Sequence, residues 1–330
     1  MEIGKGAESH LTLPESLLSS AVVIAGPSSV GLAINVSKAM GLSMICPELT
    51  VFSDGESKIR IKEKLENKTC IIIQSLCPPQ IDRHIVQTLM ILKKCIDDTA
   101  NDIIVVVPYM AYARQDRAFL NGEVITIELM AKLYKTFGTR LIVTVDIHSL
   151  RALTYFKRKM DTINISAVPL LAHYAKAKLR MSKDNSITVS PDEGGFKRAK
   201  SFALELNNKI ICMKKTRDRK TGEVFMDYTT SNDRDRVRGR DVILIDDIIS
   251  TGSTIIKAAE ILKSDGCRDI IAMCTHALIT GESSERIKAA GVSKIVTTNS
   301  IPKATATGSF VEAIDLSPTL VPTISKILTQ

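Results

Sequence analysis

The sequence predicts an α/β protein with two mainly parallel sheets whose faces are covered by helices. Short apolar runs rich in β-branched residues recur along the chain, and amphipathic helical patterns lie between several of them. Strands of a parallel sheet have this near-continuous apolar character because helices bury both of their faces. At 330 residues the chain has room for about two domains of ordinary size.

Each predicted strand is an apolar run bounded by polar or turn-forming residues. The runs are AVVIAG from residue 21, TCIIIQ from 69, DIIVVVP from 102, RLIVTVD from 140, SITVSP from 186, DVILID from 241, DIIAMCT from 269 and SKIVTT from 293. Helical periodicity predicts helices at residues 81–96, 124–137, 195–207 and 254–265.

The first series of strands ends near residues 163–168, and Pro169 follows. We therefore expect an N-terminal domain over residues 1–165 and a C-terminal domain over residues 166–330, with the segment 306–330 as a candidate to pack back on the first domain. No low-complexity linker separates the halves, so we expect them to pack closely.

Composition argues against a membrane protein. Hydrophobic residues make up 45% of the chain and charged residues 24%, with 4% aromatic residues and no Trp. No stretch approaches the roughly 20 apolar residues that cross a bilayer, and residues 1–20 lack the basic-then-apolar layout of a signal peptide.

The seven cysteines show no zinc-ligand spacing. We expect buried, reduced thiols in a cytoplasmic protein.

The net charge of +8 allows three interpretations. Basic runs at residues 214–220 (KKTRDRK) and 234–240 (RDRVRGR) are candidates for a nucleic-acid patch or for a solvated face. Acidic residues interrupt both runs, and aromatic stacking residues are absent from them. We therefore expect no nucleic-acid partner, and we favour small substrates that carry phosphate.

A candidate phosphate-binding loop follows the apolar run at residues 242–245. Asp246 and Asp247 come next, and after two isoleucines the chain reads STGST before a helix. Backbone N–H groups, the helix N-terminus and the hydroxyls suit a phosphate, while two carboxylates can accept hydrogen bonds from neighbouring hydroxyls of a sugar. The combination describes ribose 5-phosphate. A capped loop with two solvated acids is the alternative.

This segment resembles the phosphoribosyl-binding loop of type I phosphoribosyltransferases and their relatives. Further segments resemble ribose-phosphate pyrophosphokinases over nearly the whole chain. They are PYMAYARQDR at 108–117, FSDGE at 52–56, VSPDEGGFKRAK at 189–200 and DIH at 146–148. The continuation AFLNGEVIT and the run KKTRDRKTGEV look more like archaeal members. The resemblance implies two tandem type I phosphoribosyltransferase-like domains.

The resemblance also implies where ATP binds. Arg114, Gln115 and Asp116 would contact the nucleotide and its phosphates, since an arginine fork grips phosphate oxygens in pairs. An Arg–Asp pair on a surface loop is the alternative. Adenine would lie in a site shared between subunits of a homo-oligomer. From the neighbouring subunit, the base would be contacted by Phe52, Asp54 and Glu56.

For the sugar and the metal, the resemblance implies a loop around residue 192. Asp192 would bind Mg²⁺ and ribose, and Gly194 and Gly195 would leave room for diphosphate. His148 would lie near the metal, although a lone histidine is often a structural group. The remaining ribose 5-phosphate ligands would be Asp246, Asp247, Ser250, Thr251, Gly252, Ser253 and Thr254.

Lys215 and Arg217 are the catalytic candidates. They follow the apolar run 210–213 and open the polar stretch 218–235, which we interpret as a mobile flap. The resemblance implies that this pair stabilises the transition state as the flap closes. A solvated basic loop is the alternative. Lys214 is adjacent, but the spacing to Arg217 favours Lys215 as the catalytic lysine.

The predicted reaction transfers the β,γ-diphosphoryl group of Mg-ATP to the anomeric hydroxyl of ribose 5-phosphate, giving 5-phosphoribosyl 1-diphosphate and AMP. Two departures stand against the family pattern: Ser250 replaces an acid common in bacterial and animal relatives, and Ser253 replaces a glycine, with some expected backbone strain. A catalytically silent regulatory subunit and a phosphoribosyltransferase are the alternative functions.

Overall fold

The computed structural model describes residues 13–217, 224–230, 232–302 and 309–330. At residues 215–217 and 224–225 it describes the backbone but not the side chains. The strands are β1 (Ala21–Ala25), β2 (Ser43–Ile45), β3 (Glu48–Val51), β4 (Ser57–Arg60), β5 (Thr69–Ile73), β6 (Asp102–Val107), β7 (Leu141–Val145), β8 (Asp161–Ile165), β9 (Ser186–Ser190), β10 (Lys209–Arg217), β11 (Val224–Tyr228), β12 (Asp241–Ile249), β13 (Asp269–Ala277), β14 (Lys294–Thr298) and β15 (Val311–Ile314).

The helices alternate with these strands. They are α1 (Glu15–Ser20), α2 (Val30–Met40), α3 (Ile81–Asp97), α4 (Thr126–Thr136), α5 (Leu150–Lys157), α6 (Val168–Ala177), α7 (Phe196–Leu206), α8 (Asp233–Val237), α9 (Ser253–Ser264), α10 (Gly281–Ala289) and α11 (Ser317–Leu328).

Two large sheets organise the described chain. The first has the strand order β2-β1-β5-β6-β7-β8, and its pairings are parallel. The second has the order β11-β10-β9-β12-β13-β14-β15, in which only β10 and β11 pair antiparallel. A separate antiparallel hairpin, β3–β4, lies in the first half of the chain. The predicted α/β class with mainly parallel sheets flanked by helices is confirmed.

Both faces of the first sheet are buried because alternate residues of a strand point to opposite faces. In β1, Val22 and Ile24 pack with residues of α3, α4 and α5, while Val23 and Ala25 pack with residues of α2 and α11. The C-terminal helix α11 therefore contributes to the core of the first sheet, and its contacts with α2 lie on that face.

The second sheet follows the same rule. Val242 and Leu244 of β12 share a core with α9 and α10, while Ile243 and Ile245 pack with α6 and α7. The predicted apolar runs all form strands, but β12 continues to Ile249. The acid pair therefore lies within the strand and not beyond its tip, because the two isoleucines after it still pair with β13.

Several strands have no apolar signal in the sequence. The residues of β3 are exposed, and those of β8 are exposed or half-buried, so neither forms an apolar run.

No helix of the described ranges is long and apolar enough to cross a membrane. All seven cysteines are free; five are buried, but Cys46 is exposed and Cys212 half-buried, so the expectation of buried thiols is only partly met.

Candidate active site

The carboxyl ends of strands from both sheets meet at one place. His148, which follows β7 of the first sheet, lies with its Nδ1 2.7 Å from Asp247 Oδ2 in β12 of the second. Arg114, in the loop after β6, lines the same cavity as Asp246. Ligands of parallel sheets gather at such strand ends, and here two sheets supply one site.

The cavity has a volume of about 170 Å³ and is built mainly by the turn between β12 and α9. Its lining residues are Arg114, Asp246, Ile248, Ile249, Ser250, Thr251, Gly252, Ser253, Thr254 and Ile255. We call the turn 250–254 the cradle. Its backbone N–H groups and hydroxyls at the start of α9 form a site suited to an anion.

Gly252 fixes the shape of the cradle. Its φ of 74° lies in the left-handed region, and it is the N-cap of α9. A Cβ at this position would lie 2.5 Å from side-chain carbons of Ile287 in α10, so another residue type would both strain the turn and overlap its neighbour. Ser253 begins α9 and is not among the residues with positive φ, so the strain expected there is absent.

The two acids carry different charges. Burial and then repulsion from Asp247 raise the pKa of Asp246 to about 8. Burial alone would raise the pKa of Asp247 as well, but the hydrogen bond with His148 and the charge of Arg198 outweigh it and hold that pKa well below its usual range. Near neutral pH the pair therefore holds one proton, on Asp246.

Arg198 is a site residue that sequence reasoning missed. Its Nη1 lies 3.6 Å from Asp246 Oδ1 and 3.5 Å from Asp247 Oδ1. It stands in the first turn of α7, within the quoted motif 189–200, but a basic residue on a helix gives no signal of which acids it will meet. The parallel pairing of β9 with β12 brings it there.

The loop between β9 and α7 is closed by Asp192. Its Oδ1 accepts a hydrogen bond from the Gly195 N–H at 2.9 Å, and its carbonyl accepts one from the Ser190 hydroxyl at 2.7 Å. A Cβ on Gly195 would stand 3.1 Å from that hydroxyl, and one on Gly194 3.3 Å from Asp192 Oδ1. The two glycines thus let this turn close tightly.

Of the predicted ATP ligands, Arg114 alone lines the cavity. Gln115 Oε1 accepts a hydrogen bond from Thr126 at 2.8 Å, and the carboxylate of Asp116 accepts one from Ser149. Asp116 therefore ties the loop to the start of α5 and does not pair with Arg114, contrary to the alternative of a surface Arg–Asp pair.

The segment 52–56 forms the turn of the β3–β4 hairpin. Glu56 N–H donates to Asp54 Oδ1 at 3.0 Å, and Gly55 adopts a φ of 93°. Phe52 is 47% exposed. None of these residues lines the cradle cavity, so this chain does not by itself bring its hairpin turn to that cavity.

Lys215 and Arg217 lie in β10, where Lys215 is opposite Met226 and Arg217 opposite Val224 of β11. One residue separates positions 215 and 217, the spacing that places two residues on one face of a strand. Their side chains, and residues 218–223, lie outside the described part. The stretch 218–235, which we interpreted as a mobile flap, contains β11 and the start of α8.

Metal-binding side chains are sparse. Within the described ranges no three or more His, Cys, Asp and Glu side chains are grouped to hold a metal ion. His148 keeps Nε2, and Asp192 keeps Oδ2, without a hydrogen-bond partner among the described residues. Of these two atoms, the Asp192 oxygen is the kind of ligand that Mg²⁺ uses, since Mg²⁺ takes one or two carboxylates, keeps water and takes further oxygens from substrate phosphates.

The fold and the site define the class: an α/β protein with two mainly parallel sheets and a cavity suited to an anion where the carboxyl ends of their strands meet. A profile described as the N-terminal domain of ribose phosphate pyrophosphokinase matches residues 21–138, and one described as the phosphoribosyl synthetase-associated domain matches residues 229–330.

Individual proteins agree with these matches. The ribose-phosphate pyrophosphokinase of Sulfurisphaera tokodaii is 36% identical over 299 residues, covering 91% of this chain and 98% of that protein. The ribose-phosphate pyrophosphokinase of Campylobacter jejuni is 35% identical, and the match covers 85% of this chain and 87% of that protein. A phosphoribosylpyrophosphate synthetase structure from Mycobacterium smegmatis superposes with a TM-score of 0.83 at 26% identity, covering 94% and 99% of the two chains. The chain belongs to the ribose-phosphate pyrophosphokinase family, as its motifs predicted.

Proposed function

We propose that this protein transfers the β,γ-diphosphoryl group of Mg-ATP to the anomeric hydroxyl of ribose 5-phosphate, releasing AMP. The observation that carries the proposal is the shared cavity of Arg114 and Asp246, which puts a phosphate-gripping arginine from the first sheet beside the cradle of the second. Family membership supports the same reaction.

The cradle binds the 5-phosphate. The N–H groups and hydroxyls of Ser250, Thr251, Gly252, Ser253 and Thr254 would surround it. Asp247, kept ionised by His148 and Arg198, accepts hydrogen bonds from the ribose hydroxyls. Asp246, which holds a proton near pH 7, is suited to donate one hydrogen bond in the same place.

Arg114, with Gln115 and Asp116 in the same loop, positions the triphosphate. Lys215 and Arg217 neutralise the charge that develops on the transferred group. The anomeric oxygen attacks the β-phosphorus in line, so positioning and charge stabilisation carry the reaction. The loop of Asp192, Gly194 and Gly195 lies next to Arg198 and would receive the new diphosphate.

Mg²⁺ would be held by Asp192 and by His148, directly or through water, with substrate oxygens completing its shell. When bound, it offsets the charge of the triphosphate and orients its oxygens. The donor atoms left free on the two side chains support this assignment.

The adenine site is shared between subunits of a homo-oligomer in this proposal. The hairpin turn is exposed and lies outside the cradle cavity, so Phe52, Asp54 and Glu56 are available to a neighbouring copy. Mixing Phe52→Ala with Lys215→Ala tests it. Two inactive variants should regain part of the activity when their subunits exchange, whereas variants of a self-contained site would stay inactive.

The two sheets are taken as two domains, residues 1–165 and 166–330, with α11 returning to the first. The absence of a membrane-crossing helix from the described chain and the free cysteines agree with a cytoplasmic enzyme.

One assay tests the reaction. The purified protein is incubated with Mg-ATP and ribose 5-phosphate, and the nucleotide products are separated, with a reaction lacking the sugar as control. We expect AMP only when the sugar is present. ADP would mean transfer of the γ-phosphoryl group alone, and no sugar-dependent product would mean a silent subunit.

A further inference from the structure

A buried polar cluster joins the two sheets behind the candidate site. It centres on His276, which is 2% exposed and lies in β13 of the second sheet. Its Nε2 is 3.0 Å from the carbonyl of Val145, the last residue of β7 in the first sheet, and its Nδ1 is 2.8 Å from Ser300 Oγ. A carbonyl only accepts, so Nε2 carries the proton and donates across the sheets.

A second hydrogen bond next to this one also joins the two sheets. Thr275 donates its hydroxyl to Asp146 Oδ2 at 2.6 Å, and the same carboxylate accepts from the Ser166 hydroxyl at 3.0 Å and from the Ala167 N–H at 2.9 Å. Asp146 holds a φ of 38°, an uncommon value for a residue other than glycine. The end of β7 is thus clamped by two consecutive residues of β13.

The cluster reaches the nucleotide side as well. The Ser75 hydroxyl, after β5, donates to the Ser300 carbonyl. The ring of Tyr109, which belongs to the segment 108–117 that carries Arg114, meets the His276 ring edge-on with centroids 5.1 Å apart. Burial lowers the pKa of His276, which agrees with a neutral ring whose Nε2 donates to Val145.

Both clamped strands lead directly into the site. His148 follows Asp146 by two residues and contacts Asp247. In the second sheet, β13 pairs with β12 so that Cys274 is opposite Asp246 and His276 opposite Ile248. The cluster therefore connects the element that carries His148 with the strand next to the acid pair, and it does so without contacting the cavity itself.

We infer that Thr275 and His276 are positioning residues that set the distance between the nucleotide half and the sugar half of the site. Each half is built by its own sheet, but transfer needs the attacking oxygen and the phosphorus within a few tenths of an ångström of the productive distance. This inference rests on the proposed function for its kinetic consequence, while its geometric consequence is independent of activity.

The variants are chosen in pairs. Thr275→Val removes one hydroxyl at constant size, and Thr188→Val is its control, because Thr188 is equally buried in the second sheet and donates at 2.8 Å to Asn208 of the same half. His276→Leu removes both ring nitrogens, and His276→Gln restores an amide donor for the Val145 carbonyl.

We expect Thr275→Val and His276→Leu to lower kcat roughly 10- to 100-fold, the size of effect that a misplacement of about 1 Å produces. The affinities for Mg-ATP alone and for ribose 5-phosphate alone should fall far less than kcat, since the ligands of each half stay on their own sheet and Arg198 still holds Asp247 ionised. His276→Gln and Thr188→Val should retain kcat. Equal kcat in Thr275→Val and Thr188→Val, or loss of binding in proportion to kcat, would overturn the inference.

A crystal structure of His276→Leu gives the readout that needs no turnover. We expect the separation of His148 Nδ1 and Asp247 Oδ2 to open from 2.7 Å to beyond about 3.5 Å, outside hydrogen-bonding range. An unchanged separation would refute the positioning role even in an active enzyme. A wild-type protein that makes no AMP would refute the proposed reaction, and this structural comparison would still decide the role of the cluster.

Discussion

His148 and Asp247 form a 2.7 Å hydrogen bond between the two sheets. Because Arg198 approaches the same carboxylate at 3.5 Å, Asp247 remains ionised while its neighbour Asp246 holds a proton near neutral pH. The acid pair thus presents one acceptor group and one donor group at the edge of the cradle.

The proton on Asp246 gives stability a specific dependence on pH. Its pKa is 3.8 in the unfolded chain and about 8 in the folded protein. Between these values the folded state binds more protons, so the free energy of unfolding falls as pH rises, by up to about 1.4 kcal/mol per pH unit. Asp246→Asn cannot titrate and should lose this slope.

Urea denaturation at pH 5, 6, 7 and 8 measures how the free energy of unfolding depends on pH. The free energy of unfolding of the wild type minus that of Asp246→Asn should decrease steadily over this series, since contributions of groups that do not interact with Asp246 cancel in the difference. Parallel curves would mean that Asp246 is already ionised at pH 5.

Gly252→Ala should damage both stability and sugar binding. The alanine would need a left-handed φ and would overlap Ile287, so we expect a loss of about 2–4 kcal/mol in the free energy of unfolding and a raised KM for ribose 5-phosphate. Gly281→Ala is the control, because open space surrounds that position and its φ is not positive. Similar behaviour of the two variants in denaturation would contradict the described turn.

Arg114→Lys should weaken the use of ATP selectively. Lysine keeps the charge but loses the planar fork that grips two phosphate oxygens, so kcat/KM for ATP should fall about tenfold, or roughly 1.4 kcal/mol, with the KM for ribose 5-phosphate little changed. Arg117→Lys is the matched control: Arg117 belongs to the same segment but lies over the Phe119 ring, 4.8 Å from its centroid, outside the cavity. Equal losses would show that the segment acts only through its fold.

Lys215→Ala should lower turnover more than binding. Removal of one group that stabilises transition-state charge costs about 100-fold or more in kcat, whereas the KM of each substrate should stay within roughly threefold. Lys214→Ala serves as the control, because position 214 belongs to the other face of β10. Steady-state kinetics of both variants distinguish them, and an unchanged kcat for Lys215→Ala would remove it from the catalytic role.

Local chemistry is what the sequence determined. Apolar runs predicted eight strands of the two sheets because burial of both faces requires such runs, and the STGST turn followed from its hydroxyls and its glycine. The extension of β12 through Asp246 and Asp247 was not predictable, because strand length there depends on pairing with β13 and not on local apolarity.

Tertiary structure decided which side chains meet. Arg198 reaches the acid pair only once β9 pairs with β12. Thr275 clamps Asp146 and His276 donates to Val145 only after the two sheets dock. These partners are far apart in the chain, and nothing in their local sequence encodes the distance between them. The different charges of Asp246 and Asp247 have the same origin, since burial and neighbouring charges set a pKa only once the surrounding elements are in place.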